Sequence, residues 1–250
     1  MTRIARTPRS DLSALYPAYE TLSGLEDTAL LSKALEEVFV DGRIAAVSSF
    51  GAESAVLLDL IARIDPATPI LFLETGKHFP ETLAYRDLLI DRLRLEDVRS
   101  IAPEATELAA ADPDGTRHVR DPDGCCDVRK VRPLDRALAG FDVWISGRKR
   151  FQGGVRERLD TVEWEETPEG GRRLKLNPLA GWSAERIDAY FDRYALPRHP
   201  LWEEGYLSIG CATCTAKPSP DARDRRAGRW AGQSKTECGI HALRRPRPAA

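Results

Sequence analysis

Apolar residues recur in two rhythms along the chain, and their alternation predicts the fold. Leu30, Leu31, Ala34, Leu35 and Val38 recur at helical spacing, and Asp41-Gly42 ends that run. Short continuous apolar runs follow at 44–47, 70–73 and 143–145, and a further short run at 98–101 is apolar only at its ends, Val98 and Ile101. Such runs are the mark of parallel strands buried on both faces. Helical patterns over 55–63 and from Thr82 through Leu83 and Leu89 separate the first of them. The resulting βαβα rhythm predicts an α/β domain with a mostly parallel sheet flanked by helices. Residues 161–166 and 172–176 read as a hairpin around Pro168-Glu169-Gly170-Gly171, and Ser183 caps a helix running to Tyr194 with Ile187, Tyr190 and Phe191 inward. The two Asp-Pro-Asp-Gly segments within 112–124 read as turns. After Pro197 periodicity is lost, and Pro218, Pro220, Gly228 and Gly232 predict a loosely ordered tail. The expected organisation is therefore one domain over 1–215, with peripheral helices in 1–40, and a flexible tail over 216–250.

Composition narrows the classes. The 250 residues carry a net charge of -2, so bulk charge argues for neither nucleic acid nor an acidic substrate. Charge is mixed rather than blocked until the tail, where Arg223, Arg225, Arg226 and Arg229 cluster, followed by Arg244, Arg245 and Arg247. No apolar run reaches membrane-span length and the first residues show no apolar leader, so a cytoplasmic protein without membrane contact is expected. The oligomeric state is left open, a homo-oligomer included. Five cysteines make a poor disulfide framework; in a reducing compartment four metal ligands plus one reactive thiol is the better partition.

The residues that carry chemistry lie at strand ends and in the tail. Ser48-Ser49-Phe50-Gly51-Ala52-Glu53-Ser54 joins a strand to a helix start, where backbone N–H groups and hydroxyls converge on an anion; simple caps use the same residue types. Glu74-Thr75-Gly76-Lys77 ends the second strand, and Ser146-Gly147-Arg148-Lys149-Arg150, running on to Arg156, ends the fourth. Polar loops at the carboxyl ends of parallel strands are where such sheets place ligands, here one bearing phosphate. Cys125 and Cys126 are adjacent, which makes a disulfide between them improbable. With Cys211 and Cys214 they would supply a thiolate set for a shared metal centre, the reading favoured over a buried pair packed as small hydrophobes at a helix start. A helix from Cys125 would put Lys130 at i+4 from Cys126 and Arg129 at i+4 from Cys125. Cys238 follows Lys235 by three residues; nearby cations make a thiol nucleophilic, while Glu237 opposes this. His241 is a candidate to orient a substrate, and His118 and His199 read as structural.

Together, the tail Lys-Thr-Glu-Cys-Gly-Ile-His, the Cys-Cys plus Cys-x-x-Cys set, Ser-Ser-Phe-Gly-Ala-Glu-Ser and Leu-Glu-Thr-Gly-Lys resemble the assimilatory sulfonucleotide reductases, over about residue 40 to His241. Within that family the match is to the adenylyl sulfate (APS) branch. The resemblance implies an adenine-nucleotide α-hydrolase-like (PP-loop) fold and a [4Fe–4S] cluster on Cys125, Cys126, Cys211 and Cys214. It implies reduction of APS to sulfite and AMP with electrons from thioredoxin, Cys238 being the nucleophile. By position it puts Ser48, Ser49, Gly51, Glu53, Leu73 and Gly76 at the nucleotide. Lys130, Arg148, Arg156, Arg226, Arg229 and His241 fall at the phosphosulfate or its approach. Glu74 stands where the family commonly has Asp, and Arg226 and Arg229 align only across a short gap before Lys235. Three other readings compete. The 3′-phosphoadenylyl sulfate branch generally lacks the paired cysteines. A PP-loop enzyme acting on tRNA would want Ser-Gly-Gly-x-Asp-Ser at the first turn. A zinc-stabilised binding module would normally use wider cysteine spacing, whereas thiolate-only ligation also suits iron–sulfur clusters.

Overall fold

The computed structural model describes residues 12–219, 221–222, 224–233 and 235–241. Its frame is a six-stranded sheet in the order β3-β2-β1-β4-β6-β5. The strands are β1 (Ile44–Ser48), β2 (Ile70–Leu73), β3 (Val98–Ile101), β4 (Val143–Ile145), β5 (Val162–Glu166) and β6 (Arg172–Leu176). Each neighbouring pair is parallel except β5 with β6, the expected hairpin, which pairs antiparallel with Trp164 opposite Leu174. The helices are α1 (Leu12–Leu22), α2 (Asp27–Ser32), α3 (Ser54–Ile64), α4 (Pro80–Leu93), α5 (Ala105–Ala111), α6 (Arg117–Arg120), α7 (Pro122–Cys126), α8 (Arg132–Leu138), α9 (Ala184–Tyr194) and α10 (Pro200–Glu203).

Strand alternation splits the core across the sheet. Ile44, Ala46, Ile70, Phe72, Val143 and Ile145 face one side, packed with α1, α2, α3, α4 and α9 through residues such as Leu30, Leu31, Leu58, Leu89 and Phe191. Ala45, Leu71, Leu73 and Trp144 face the other, against Leu134 and Leu138 of α8 and against Ile240 from the tail. Both faces are apolar because both are covered, as parallel sheets require. The early helices belong to this frame: Leu22, Leu30 and Leu31 are fully buried in the larger core.

The second Asp-Pro-Asp-Gly is a helix start rather than a turn. Asp121 caps α7 by accepting a hydrogen bond from the Gly124 N–H at 2.8 Å, with Pro122 at the first helical position, where its missing N–H costs nothing. From Cys126 the helix widens into a π-helical segment, Asp127–Val131, before tightening again into α8. Such insertions recur at functional sites. Asp112 lies at the start of the first Asp-Pro-Asp-Gly segment and holds the cysteine helix to the sheet. Arg129 donates to buried Asp112 at 2.7 Å and to the Thr75 carbonyl after β2 at 2.7 Å.

Candidate active site

The chain leaves β1 for β2 and β3 on one side and returns to β4 on the other, so β1 and β4 flank the point where strand order reverses. Open α/β sheets bind ligands outside the carboxyl ends of strands at such a point. Ser48 ends β1, Ser146 follows β4, and both line one cavity that is also lined by the tail residues Glu237, Cys238, Ile240 and His241.

The turn after β1 is tightly built. The Phe50 N–H donates to Ser48 Oγ at 3.2 Å, and buried Phe50 takes a φ of 48°, a left-handed backbone that bulky residues rarely adopt. A Cβ on Gly51 would lie 2.9 Å from the Ile209 carbonyl oxygen, so only glycine lets residues 207–210 cross there. Glu53 turns inward and accepts from Lys149 Nζ at 2.9 Å, Gln152 Nε2 at 3.0 Å and Arg225 Nη1 at 3.1 Å. Burial raises its pKa, but Lys149 and Arg225 overcome this and hold the carboxyl below its ordinary value. These three partners were not distinguished in the sequence. The basic run after β4 was visible there, but not that Lys149 would bury while Arg148 turns to Asn177 (3.1 Å), Ser146 (3.3 Å) and Glu163.

Cations and one thiol occupy the other end. Arg156 binds Glu237 through Nε and Nη2 at 2.6 and 2.7 Å and also bonds to Gln152. Arg226 reaches the Thr236 carbonyl at 3.0 Å and Glu237 at 3.4 Å. The Arg229 guanidinium stands 4.6 Å from the Trp230 ring centroid, and its buried Nε has no hydrogen-bond partner among the described residues. Burial disfavours the Lys130 ammonium, yet Cys238, Cys211 and Cys126 more than offset this and raise its pKa. The Cys238 thiol is held well below its usual range, first by a hydrogen bond with Cys126 and, against burial, by Lys130, the Ile240 N–H and Arg229. His241 is driven well below the usual imidazole value by burial and by Lys175, Arg148, Arg156 and Arg226. A neutral imidazole therefore faces the cavity.

Ser48, Ser49, Gly51, Glu53, Leu73, Lys130, Arg148, Arg156, Arg226, Arg229, Cys238 and His241 all line this cavity. Gly76 does not: at a φ of 66° its N–H donates to Glu74 Oε1 at 2.8 Å, and it faces Arg129 instead. His78, Gln152, Arg225 and Trp230 line it and were not expected from the sequence. Arg223, Arg244, Arg245 and Arg247 lie outside the described residues.

The four paired cysteines are all free, and Cys125, Cys126 and Cys211 are buried. Cys125 is close enough to Cys211 and Cys214 for each to oppose its ionisation, although burial is the larger cause of its raised pKa. Among the described residues no group of three or more His, Cys, Asp or Glu side chains converges closely enough to hold a metal ion. What fits a cluster is the donor chemistry: four soft sulfurs on two elements, beside the fixed charges of Lys130, Arg129 and Arg229.

A parallel sheet with its cavity at the switch point, a Ser/Gly turn after β1 and a wall of cations defines a nucleotide-binding α/β protein of the PP-loop kind. Solved structures agree on that fold. Phosphoadenylyl-sulfate reductase from Candida auris in its phosphate complex superposes with a TM-score of 0.62 at 23% identity, covering 82% of this chain and 98% of that one. An FMN adenylyltransferase from Candida glabrata superposes at 0.54 and 14% identity, covering 96% and 82%. Residues 43–217 match the phosphoadenosine phosphosulfate reductase domain, and the chain belongs to that family. It is 49% identical over 230 residues to a protein of Mesorhizobium japonicum named adenosine 5'-phosphosulfate reductase, covering 92% of this chain and 85% of the relative. A protein of the same name from a Chelativorans strain is 44% identical over 213 residues, covering 85% and 84%. A protein from Gloeobacter violaceus named phosphoadenosine 5'-phosphosulfate reductase is 43% identical over 226 residues, covering 87% and 89%.

Proposed function

We propose that this chain reduces adenylyl sulfate to sulfite and AMP in sulfate assimilation, with thioredoxin as the thiol donor. The observation that carries this reading is the placement of Cys238 in the switch-point cavity, where the charges of Lys130 and Arg229 act on its thiol. A sulfate sulfur is shielded by anionic oxygens, and joining it to AMP supplies a good leaving group. The Cys238 thiolate attacks that sulfur, forming an S–S bond and breaking the S–O bond to AMP, which departs with the electron pair. Two anions must meet in this step, and Lys130 and Arg229 neutralise the approach. A thioredoxin thiolate then attacks Cys238 Sγ and releases sulfite; the second thioredoxin thiol resolves the mixed disulfide and regenerates Cys238. Residues 1–215 act as the sulfonucleotide-binding unit, and residues 216–250 as the tail that presents Cys238 and then swings out.

Cys125, Cys126, Cys211 and Cys214 are the residues that would hold one [4Fe–4S] cluster, which when bound supplies a fixed electrostatic centre beside the cavity. The paired cysteines also favour APS over its 3′-phosphorylated form, the reading to which the Gloeobacter relative's name points.

Sulfite release from each nucleotide with thioredoxin tests the proposal. Turnover should be faster with APS, and preference for the 3′-phosphorylated substrate would defeat that choice. Incubation with APS alone should release about one AMP per active chain and leave the SO3 adduct on the Cys238 peptide. An adduct on any other cysteine contradicts the assignment. Anaerobically prepared protein should hold roughly four irons, and zinc without iron would favour the binding-module reading.

A further inference from the structure

The cations around the cavity divide into two sets. Arg148 pairs with Glu163, Lys149 with Glu53, and Arg156 with Glu237. Among the described residues, no carboxylate ion pair is made by Lys130 or Arg229, and both are sensitive to Cys238. Glu237 immediately precedes Cys238. Its two oxygens take the Arg156 fork at 2.6 and 2.7 Å, Arg226 adds a longer contact at 3.4 Å, and the Cys238 backbone N–H donates to Glu237 Oε1 at 2.8 Å. Arg156 belongs to the body of the fold, in the turn Gly154–Arg156, so the bond spans the cavity from body to tail. The side chains are 8% and 12% exposed, which leaves little solvent to screen the pair. A fork on a carboxylate fixes direction as well as distance.

We propose that Glu237 is a positioning residue: it docks the tail on Arg156 and so places Cys238 over the cavity. Arg156 then serves the nucleophile's placement, and the incoming anion falls to Lys130 and Arg229. This also gives the glutamate next to the thiol a purpose, since its charge is spent on Arg156 rather than opposing the thiolate. The inference rests on Cys238 being the nucleophile, and the same ion pair must break before a second thiol can reach Cys238.

The test is the rate at which iodoacetamide, a neutral reagent, alkylates Cys238 at about pH 9, where a thiol of ordinary pKa is also largely ionised and the rate reports access; it is read peptide by peptide by mass spectrometry on anaerobically prepared protein. Loss of one partner of a buried charge pair should undock the tail, so E237Q should react at least about tenfold faster than wild type. R156E should react faster too, although its added negative charge would slow a purely electrostatic response. The exchanged pair R156E/E237R should return to within about threefold of the wild-type rate, because the pair is restored with its signs reversed. Wild-type rates in both single variants, or an exchanged pair as reactive as R156E, overturn the proposal. Should R156E not fold, Arg156→Lys keeps the charge without the fork and should be intermediate; a wild-type rate there is equally fatal. Alkylation does not depend on turnover, so sulfite release from APS fails or succeeds separately from this result.

Discussion

The imidazole of His241 lies on the indole of Trp144, with ring centroids 5.8 Å apart and planes within 7° of parallel. That indole has two further partners: Lys175 Nζ stands 4.5 Å from the ring centroid, and Nε1 donates to Glu165 at 2.9 Å. The last described residue of the tail is thus seated on β4 at the centre of the sheet.

The surroundings of His241 predict how it behaves with pH. Burial and the four cations Lys175, Arg148, Arg156 and Arg226 keep the ring neutral well below the usual imidazole value. The pH profile of kcat/KM should therefore carry no His241 inflection between about pH 6 and 7.5. His241→Asn, which keeps a polar group at the same place, should lower kcat/KM roughly tenfold without changing the shape of the profile. An inflection near neutrality that vanishes in the variant would show that the ring works in its charged form.

Gly210 predicts a separation of activity from stability. A Cβ there would lie 2.5 Å from Arg229 Cζ and 2.7 Å from Nη1, with Nη2 closer still, so the guanidinium rests on the bare α-carbon. Gly210→Ala must push Arg229 aside, and a flexible side chain can yield. Unfolding in urea should shift by no more than about 1–2 kcal/mol, while kcat/KM falls by tenfold or more, roughly one lost charge contact. Equal kinetics in Gly210→Ala and wild type would remove Arg229 from the reaction.

The buried pair of Glu53 with Lys149 predicts both a stability loss and its pH dependence. Lys149→Met leaves Glu53 with Arg225 and Gln152 and should destabilise the fold by on the order of 3 kcal/mol. Since the folded pKa of Glu53 is depressed from 4.5, its contribution is present above that value and is lost as pH falls through the folded one. The acid limb of a stability-against-pH curve should accordingly be shallower in Lys149→Met than in wild type. Parallel acid limbs would contradict the coupling.

His199 predicts a second slope, in a milder range. Its Nδ1 accepts the Leu201 N–H at 3.2 Å, so Nε2 carries the proton and donates to Thr82 Oγ1 at 2.9 Å. Burial lowers its pKa to about 4, with Glu81 acting weakly the other way. The unfolded chain takes up this proton near 6.5, so stability is full above that pH and declines as pH falls toward 4. The decline should reach at most about 1.4 kcal/mol per pH unit, one proton's worth, and His199→Gln should remove it. Thermal melts across that range, with identical slopes in both proteins, would refute the assignment.

Local pattern was enough to read the frame. Strands β1, β2 and β4, their helices and the β5–β6 hairpin follow from apolar runs and from turn residues within a few positions of one another, which is information a sequence carries in place. The motif cysteines and Ser48, Ser49 and Gly51 were legible for the same reason. The pairing of charges was not. Glu53 meets Lys149 across 96 positions and Glu237 meets Arg156 across 81, and no spacing rule connects residues that far apart. The second Asp-Pro-Asp-Gly has the composition of a turn, and only the Asp121 cap and the packing of the following cysteines made it a helix start. Order along the sheet decided the site itself. Strand reversal between β1 and β4 brings Ser48 and Ser146 together, and Ile240 filling the apolar face beside Trp144 brings Cys238 down to them. A sequence states which residues can do chemistry; burial against distant partners decides which of them meet, and which cations are left for a substrate.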